Sequence, residues 1–140
     1  MRVLTSRDNP WIKRVHGLAT SARERRKHGE TLLDGAHLIA AALQGQWPLK
    51  AVVVSEHGRN EAEIAALLAA LPPGVDVTQV PDALFAHLSP VDTPSGILAL
   101  IDMPAAVQPA LTGSVVALDG VQDPGNLGTI LRTAAAAGVR

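Results

Sequence analysis

At 140 residues with 47% apolar side chains, the chain can bury one core of ordinary size, or one domain plus a fragment of another. It has no cysteine, no apolar run near the ~20 residues that cross a bilayer, and no secretory signal in its opening Met1 to Asp8. Disulfides, thiolate metal sites and cysteine nucleophiles are therefore excluded, and a cytoplasmic protein without membrane partners is expected. The net charge of −1 conceals an asymmetry: residues 1–27 hold eight cations against two acids, while the remainder holds four cations against eleven acids. A polyanionic partner is expected at the basic N-terminal segment.

Asn9-Pro10 predicts a helix start, because asparagine caps and proline is tolerated at the first helical position. Trp11, Ile12, Val15, Leu18, Ala19 and Ala22 follow at helical spacing, with Lys13 and Arg14 off the stripe and Arg23 to Lys27 extending the charge beyond it. His28-Gly29 breaks the pattern. A short strand is expected over 30–34, a turn at Gly35, and a helix over 36–43. Residues 49–55 (LKAVVVS) read as a buried strand, 60–71 as a helix ended by Pro72-Pro73-Gly74, 75–80 as a strand, 81–88 as a short helix and 97–101 as a strand. Alternating strands and helices predict an α/β sandwich on a largely parallel sheet, closing near residue 103.

Small residues with Pro104, Pro109 and Gly113 mark 104–114 as a linker. The pattern then restarts, with a strand over 115–119, a loop over 120–125 and a helix over 127–137. Domains are thus expected at 1–103 and 115–140. One strand and one helix cannot bury a core alone, and the chain stops where a second strand should begin, so the natural protein is expected to continue.

The informative stretch is VALDGVQDPGNLGTILRTAAAA, from Val116 to Ala137. Asp123-Pro124 sets a turn, Gly125 and Gly128 allow close approach, and Asn126 is placed to cap the helix. Thr129, Arg132, Thr133 and Ala136 share one helix face; Ile130, Ala134 and Ala137 share the apolar one. This presents a guanidinium beside a glycine-bearing loop after a strand, where open α/β sheets bind ligands. Neither a G-x-G-x-x-G fingerprint nor a P-loop is present. A merely solvated Arg132 with turn-forming glycines remains the plain alternative at this point.

Asp123-Pro124-x-Asn126-x-Gly128-x-x-x-Arg132-Thr133, with small residues and Gly138 after it, resembles the first signature motif of the SPOUT methyltransferases, in their SpoU-type (TrmH-like) branch. Leu4-Thr5-Ser6 with Asn9-Pro10 and Lys13 looks like that branch's opening. Arg23-x-Arg25-Arg26 to Gly29 and Leu32-Leu33-Asp34-Gly35 resemble the stretch that follows, with Asp34 where glutamate is commoner. Thr93-Pro94-Ser95-Gly96-Ile97 resembles the close of its substrate domain.

The resemblance implies an N-terminal α/β/α sandwich like that of small RNA-binding ribosomal proteins, followed by the first β-α unit of an incomplete α/β trefoil-knot domain. It implies a homodimeric enzyme moving a methyl group from S-adenosylmethionine to a ribose 2′-hydroxyl of rRNA or tRNA. Asn126 and Arg132 would then belong to the active site. Because a guanidinium keeps its proton, Arg132 is better suited to holding a phosphate or a developing alkoxide than to acting as a base. Arg7, Asn9, Lys13, Arg14, Arg23, Arg25, Arg26 and Lys27 are the expected RNA contacts. The family's second and third motifs, which build most of the cofactor pocket, have no counterpart here. No cofactor-binding residue is therefore assigned in this chain, and by itself it is expected to be inactive.

A stand-alone RNA-binding module is the alternative, and a small-molecule or nucleotide-binding α/β protein a third class, supported only by the loop after 115–119. His16, His28, His37, His57 and His87 show no metal-ligand spacing and are read as structural or solvent-facing, with no metal site expected. Trp11 is read as core.

Overall fold

Asn9 ends the opening loop by accepting the Trp11 amide at 2.9 Å, and Pro10 supplies the first residue of helix α1 (Pro10–Thr20). Ile12, Val15 and Leu18 form its buried stripe. In this computed structural model, which describes residues 1–91, 93–105 and 113–139, the chain divides into two compact units, Met1–Pro104 and Ala105–Arg140.

The basic stretch is a helix of its own rather than the charged tail of α1. Ser21 takes an extended conformation and accepts the Glu24 amide at 3.2 Å, so it stops α1 and caps α2 (Ala22–His28). A serine hydroxyl competes for backbone in this way, and the apolar spacing across it hides the break. Gly29 closes α2 in the left-handed region at φ 63°.

The remaining elements of the first unit are β1 (Arg2–Val3), β2 (Glu30–Asp34), α3 (Ala36–Gln44), β3 (Leu49–Ser55), a 3-10 turn (Gly58–Asn60), α4 (Ala62–Ala69), β4 (Asp76–Val80), α5 (Asp82–Leu88) and β5 (Ile97–Asp102). They build a five-stranded sheet in the order β1-β4-β3-β5-β2. The expectation of a largely parallel sheet is corrected: β1–β4 and β4–β3 are parallel, but β3–β5 and β5–β2 are antiparallel. The connection from β4 to β5 runs through α5 and returns to the end of the sheet at which β4 finishes, so β5 starts there and runs against β3. At that end the Gly96 carbonyl accepts the Ser55 amide at 2.9 Å.

Alternation along the two central strands divides the core. Val52, Val54, Ile97 and Ala99 pack with Ile39, Ile64 and Leu67 of α3 and α4. Val53 and Leu98 pack with Ile12, Val15, Phe85 and Leu88 of α1 and α5. Helices on both faces of one sheet make the α/β/α sandwich. At the C-terminal end of β3 the backbone of Gly58 lies against that of Gly96, and a Cβ on Gly58 would fall 2.6 Å from the Gly96 oxygen.

In the second unit, helix α6 spans Pro124–Ala136. The strand expected over 115–119 is not formed: no described strand pairs with it, and Val115, Val116 and Leu118 are exposed. An apolar run becomes a strand only when a neighbour takes its hydrogen bonds. The expected cap is corrected as well. Asp123 accepts the Gly125 amide at 2.8 Å, which makes Pro124 the first helical residue and puts Asn126 inside the first turn. Most of the expected 104–114 linker, residues 106–112, lies outside the described residues.

Candidate RNA interface and catalytic helix

The cations of the N-terminal segment divide by what they already hold. Asn9 is spent on its cap. Arg14 reaches Glu30, the buried first residue of β2, which also takes Lys50 at 2.6 Å; Lys50 in turn bonds Asp102 at 2.8 Å. Burial alone would raise the pKa of the Glu30 carboxyl, but hydrogen bonds and charge from Lys50 and Arg14 outweigh it and hold the group below the usual carboxylate value. Arg25 donates to the Leu18 carbonyl at 2.8 Å, closing the end of α1. Lys13 pairs with Asp8 at 3.0 Å, and Lys27 with Glu24 at 3.7 Å, both in solvent. Arg7, Arg23 and Arg26 are exposed and have no ion pair among the described residues.

Three of the eight expected contacts, Asn9, Arg14 and Arg25, thus carry structural tasks, and the remaining five are cations presented to solvent. The Glu30 hub and Lys50 were missed; a glutamate opening an apolar strand was the available signal. Trp11 is half-buried against the core, with the Arg2 guanidinium 4.7 Å above its ring. His16 and His87 are stacked at 3.9 Å between ring centroids, an α1–α5 contact that no local spacing reveals.

The two ends of the sheet differ in charge. At the end where β2 and β3 begin stands α2, whose Arg23, Arg25, Arg26 and Lys27 outnumber Glu24, while Arg14 and Lys50 there are balanced by Glu30 and Asp102. At the other end a concavity of about 700 Å³ is bordered by Asp34, Glu61, Glu63 and Asp82. Asp34 accepts the hydroxyls of Ser89 at 2.7 Å and Ser95 at 2.5 Å, which fastens the approach to β5.

In the second unit, Asp119, Gln122, Asp123, Asn126 and Thr129 border an open concavity of about 640 Å³. Asn126 and Arg132 are both exposed. Arg132 does not line this concavity; its Nη2 donates to Thr129 Oγ1 at 3.2 Å, and Thr129 is one of the residues that line it. Among the described residues no cluster of metal-ligating side chains occurs, and no helix is long and apolar enough to cross a membrane.

Residues 9–99 match the model of the MRM3-like substrate binding domain. The chain belongs to that family. The MRM3-like domain here is accompanied by relatives that extend over both units. The 23S rRNA (guanosine(2553)-2′-O)-methyltransferase RlmP of Bacillus subtilis is 32% identical over 99% of this chain and 52% of its own length. A crystal structure of an RNA 2′-O ribose methyltransferase superposes with a TM-score of 0.75 at 36% identity, over 99% of this chain and 53% of that one. An AdoMet-bound rRNA methyltransferase from Sinorhizobium meliloti gives a TM-score of 0.66 at 31% identity, over 97% and 51%. The chain therefore spans about half the length of the relatives it matches. The MRM3-like match ends before α6, so Asn126 and Arg132 lie in the part that only these longer relatives share.

Proposed function

We propose that this chain is the RNA-engaging and motif-bearing part of an S-adenosylmethionine-dependent methyltransferase acting on a ribose 2′-hydroxyl of rRNA or tRNA. The observation that carries the reading is α6: Asp123 caps it, Asn126 faces the concavity, and Arg132 is bonded to Thr129 on its rim, in a chain whose relatives are RNA methyltransferases. The first unit would hold RNA phosphates through Arg7, Lys13, Arg23, Arg26 and Lys27, leaving base selection to contacts elsewhere. Arg132, a donor that keeps its proton, would hold the nearby phosphate or the oxygen that gains charge.

The residues at the second concavity do not by themselves fit S-adenosylmethionine. The space is open to solvent and bordered by the carboxylates of Asp119 and Asp123, with only Val121 and Ile130 as large apolar walls, too little to enclose a nucleoside. The reading includes RNA as partner, a homodimer as the assembly of the whole protein, and the cytoplasm as its compartment.

The test is methyl transfer from labelled S-adenosylmethionine to ribosomal and transfer RNA by the whole protein, with the product digested to nucleosides. A 2′-O-methylnucleoside is the expected product. A base-methylated nucleoside overturns the ribose assignment, and RNA binding without any transfer leaves the binding-module alternative.

A further inference from the structure

Gly128 stands inside α6 with neither a turn nor a left-handed backbone to require it. Glycine in a helix interior weakens the helix relative to alanine, so its presence calls for a cause. The three atoms nearest to a Cβ built on Gly128 all belong to the Arg132 guanidinium, with Nη1 closest at 3.1 Å. The guanidinium is folded back along the helix over the bare Cα.

Thr129 holds it there. Its hydroxyl donates to the Gly125 carbonyl at 3.0 Å, which leaves Oγ1 free to accept Arg132 Nη2 at 3.2 Å. Thr129 borders the concavity that Asn126 lines, and it lies three residues from Asn126 and three from Arg132. Those separations are about one helical turn each way, so Thr129 is the neighbour along the helix of both side chains. Gly125, which anchors the hydroxyl, is itself fixed by the Asp123 cap.

We propose that Gly128 and Thr129 are positioning residues for Arg132, the first leaving the space in which the guanidinium lies and the second anchoring it there. The inference rests on the reading of Arg132 as a catalytic residue. An exposed arginine samples many rotamers, and stabilising charge in a transition state needs its donors placed beforehand. A hydroxyl that only back-bonds to a carbonyl would serve the helix alone. The two roles make opposite demands on substitutions.

The experiment is single-turnover methyl transfer by the whole protein, with cofactor and RNA affinities measured beside it. Gly128→Ala should leave thermal stability unchanged or raised, yet slow transfer about tenfold, because the new methyl displaces the guanidinium. Thr129→Val, nearly isosteric, should slow transfer about fivefold with both affinities unchanged, and Thr129→Ser should restore it. A readout independent of activity is the Arg132 guanidinium in ¹⁵N spectra, expected to rotate slowly in the native protein and to average in the Gly128→Ala and Thr129→Val variants. Native rates in both variants, or equal losses for Thr129→Ser and Thr129→Val, overturn the positioning role while a slow Arg132→Ala keeps the reading of Arg132. A native rate for Arg132→Ala overturns that reading itself.

Discussion

Arg14 of α1 hydrogen-bonds Glu30, the first residue of β2, and so ties the helix that opens the domain to an edge strand of its sheet. The Glu30 side chain is 2% exposed and takes Lys50 on its other oxygen. Glu30→Gln should destabilise the domain by about 2 kcal/mol at neutral pH, discounted from a fully buried pair because Arg14 and Lys50 are partly in water. The depressed Glu30 pKa gives the sign with pH: its contribution is present above the ordinary value of 4.5 and is lost as pH falls through the lower folded value. Urea titrations of the two proteins should therefore diverge at pH 7 and converge in acid. A constant difference across that range would refute the linkage.

RNA affinity should fall when Arg23 and Arg26 are changed together to alanine, and its salt slope should flatten by about two ion equivalents at most. Arg25→Ala should behave differently. It should lower the melting temperature, because its guanidinium holds the Leu18 carbonyl, and should change the salt slope less. Equal salt slopes in the native and double-variant proteins would remove α2 from the RNA interface.

Gly58→Ala should destabilise the first unit by about 2 kcal/mol, since the methyl would meet the Gly96 backbone with no flexible side chain to yield. Gly74, with nothing within 4 Å, tests the space alone only in part, because its φ of 94° disfavours any side chain. Chemical denaturation of Gly58→Ala near native stability would show that this end of the sheet relaxes.

Below neutrality the α1–α5 contact should weaken. Burial, then the charges of His16 and Arg7, lowers the His87 pKa from its usual 6.5. A neutral imidazole favoured by the fold contributes above pH 6.5 and is lost as pH drops beneath it. His87→Gln should reduce the loss of stability between pH 7 and 5, as read by thermal melts. Histidine resonances that titrate at their ordinary value in the native protein would contradict this.

Arg132→Ala in the whole protein should reduce single-turnover methyl transfer by about a hundredfold while leaving cofactor affinity nearly unchanged. Substantial rescue by Arg132→Lys would identify charge as the requirement, whereas failure would identify the planar fork. Wild-type transfer by a folded Arg132→Ala protein would return Arg132 to an ordinary solvated helix residue.

The elements best legible in the sequence were those with both an apolar pattern and punctuation. β2 stands between Gly29 and Gly35, and β3 is an apolar run of full strand length, so both were readable at their observed bounds. β1 was not, because two residues carry no period; it exists through pairing of Arg2 with Thr78 and Val3 with Gln79. The direction of β5 depends on the end of the sheet to which the connection from β4 returns the chain, which alternation does not encode. At the candidate catalytic helix the motif singled out Asn126 and Arg132 as candidates, while the cap fell to Asp123, since Pro124 fits the first helical position best. The bond from Arg132 to Thr129 depends on a rotamer, and no spacing rule specifies one.

The opposed charge of the two sheet ends gives the first unit a direction in an electric field. Near a polyanion it experiences a torque as well as an attraction, turning α2 forward and the Asp34–Asp82 rim away before any contact forms. Encounters in the reversed orientation gain less attraction, so a larger share of collisions begins with α2 forward. The torque acts within about a Debye length, ~8 Å at physiological ionic strength, so added salt removes the orientational advantage along with the attraction.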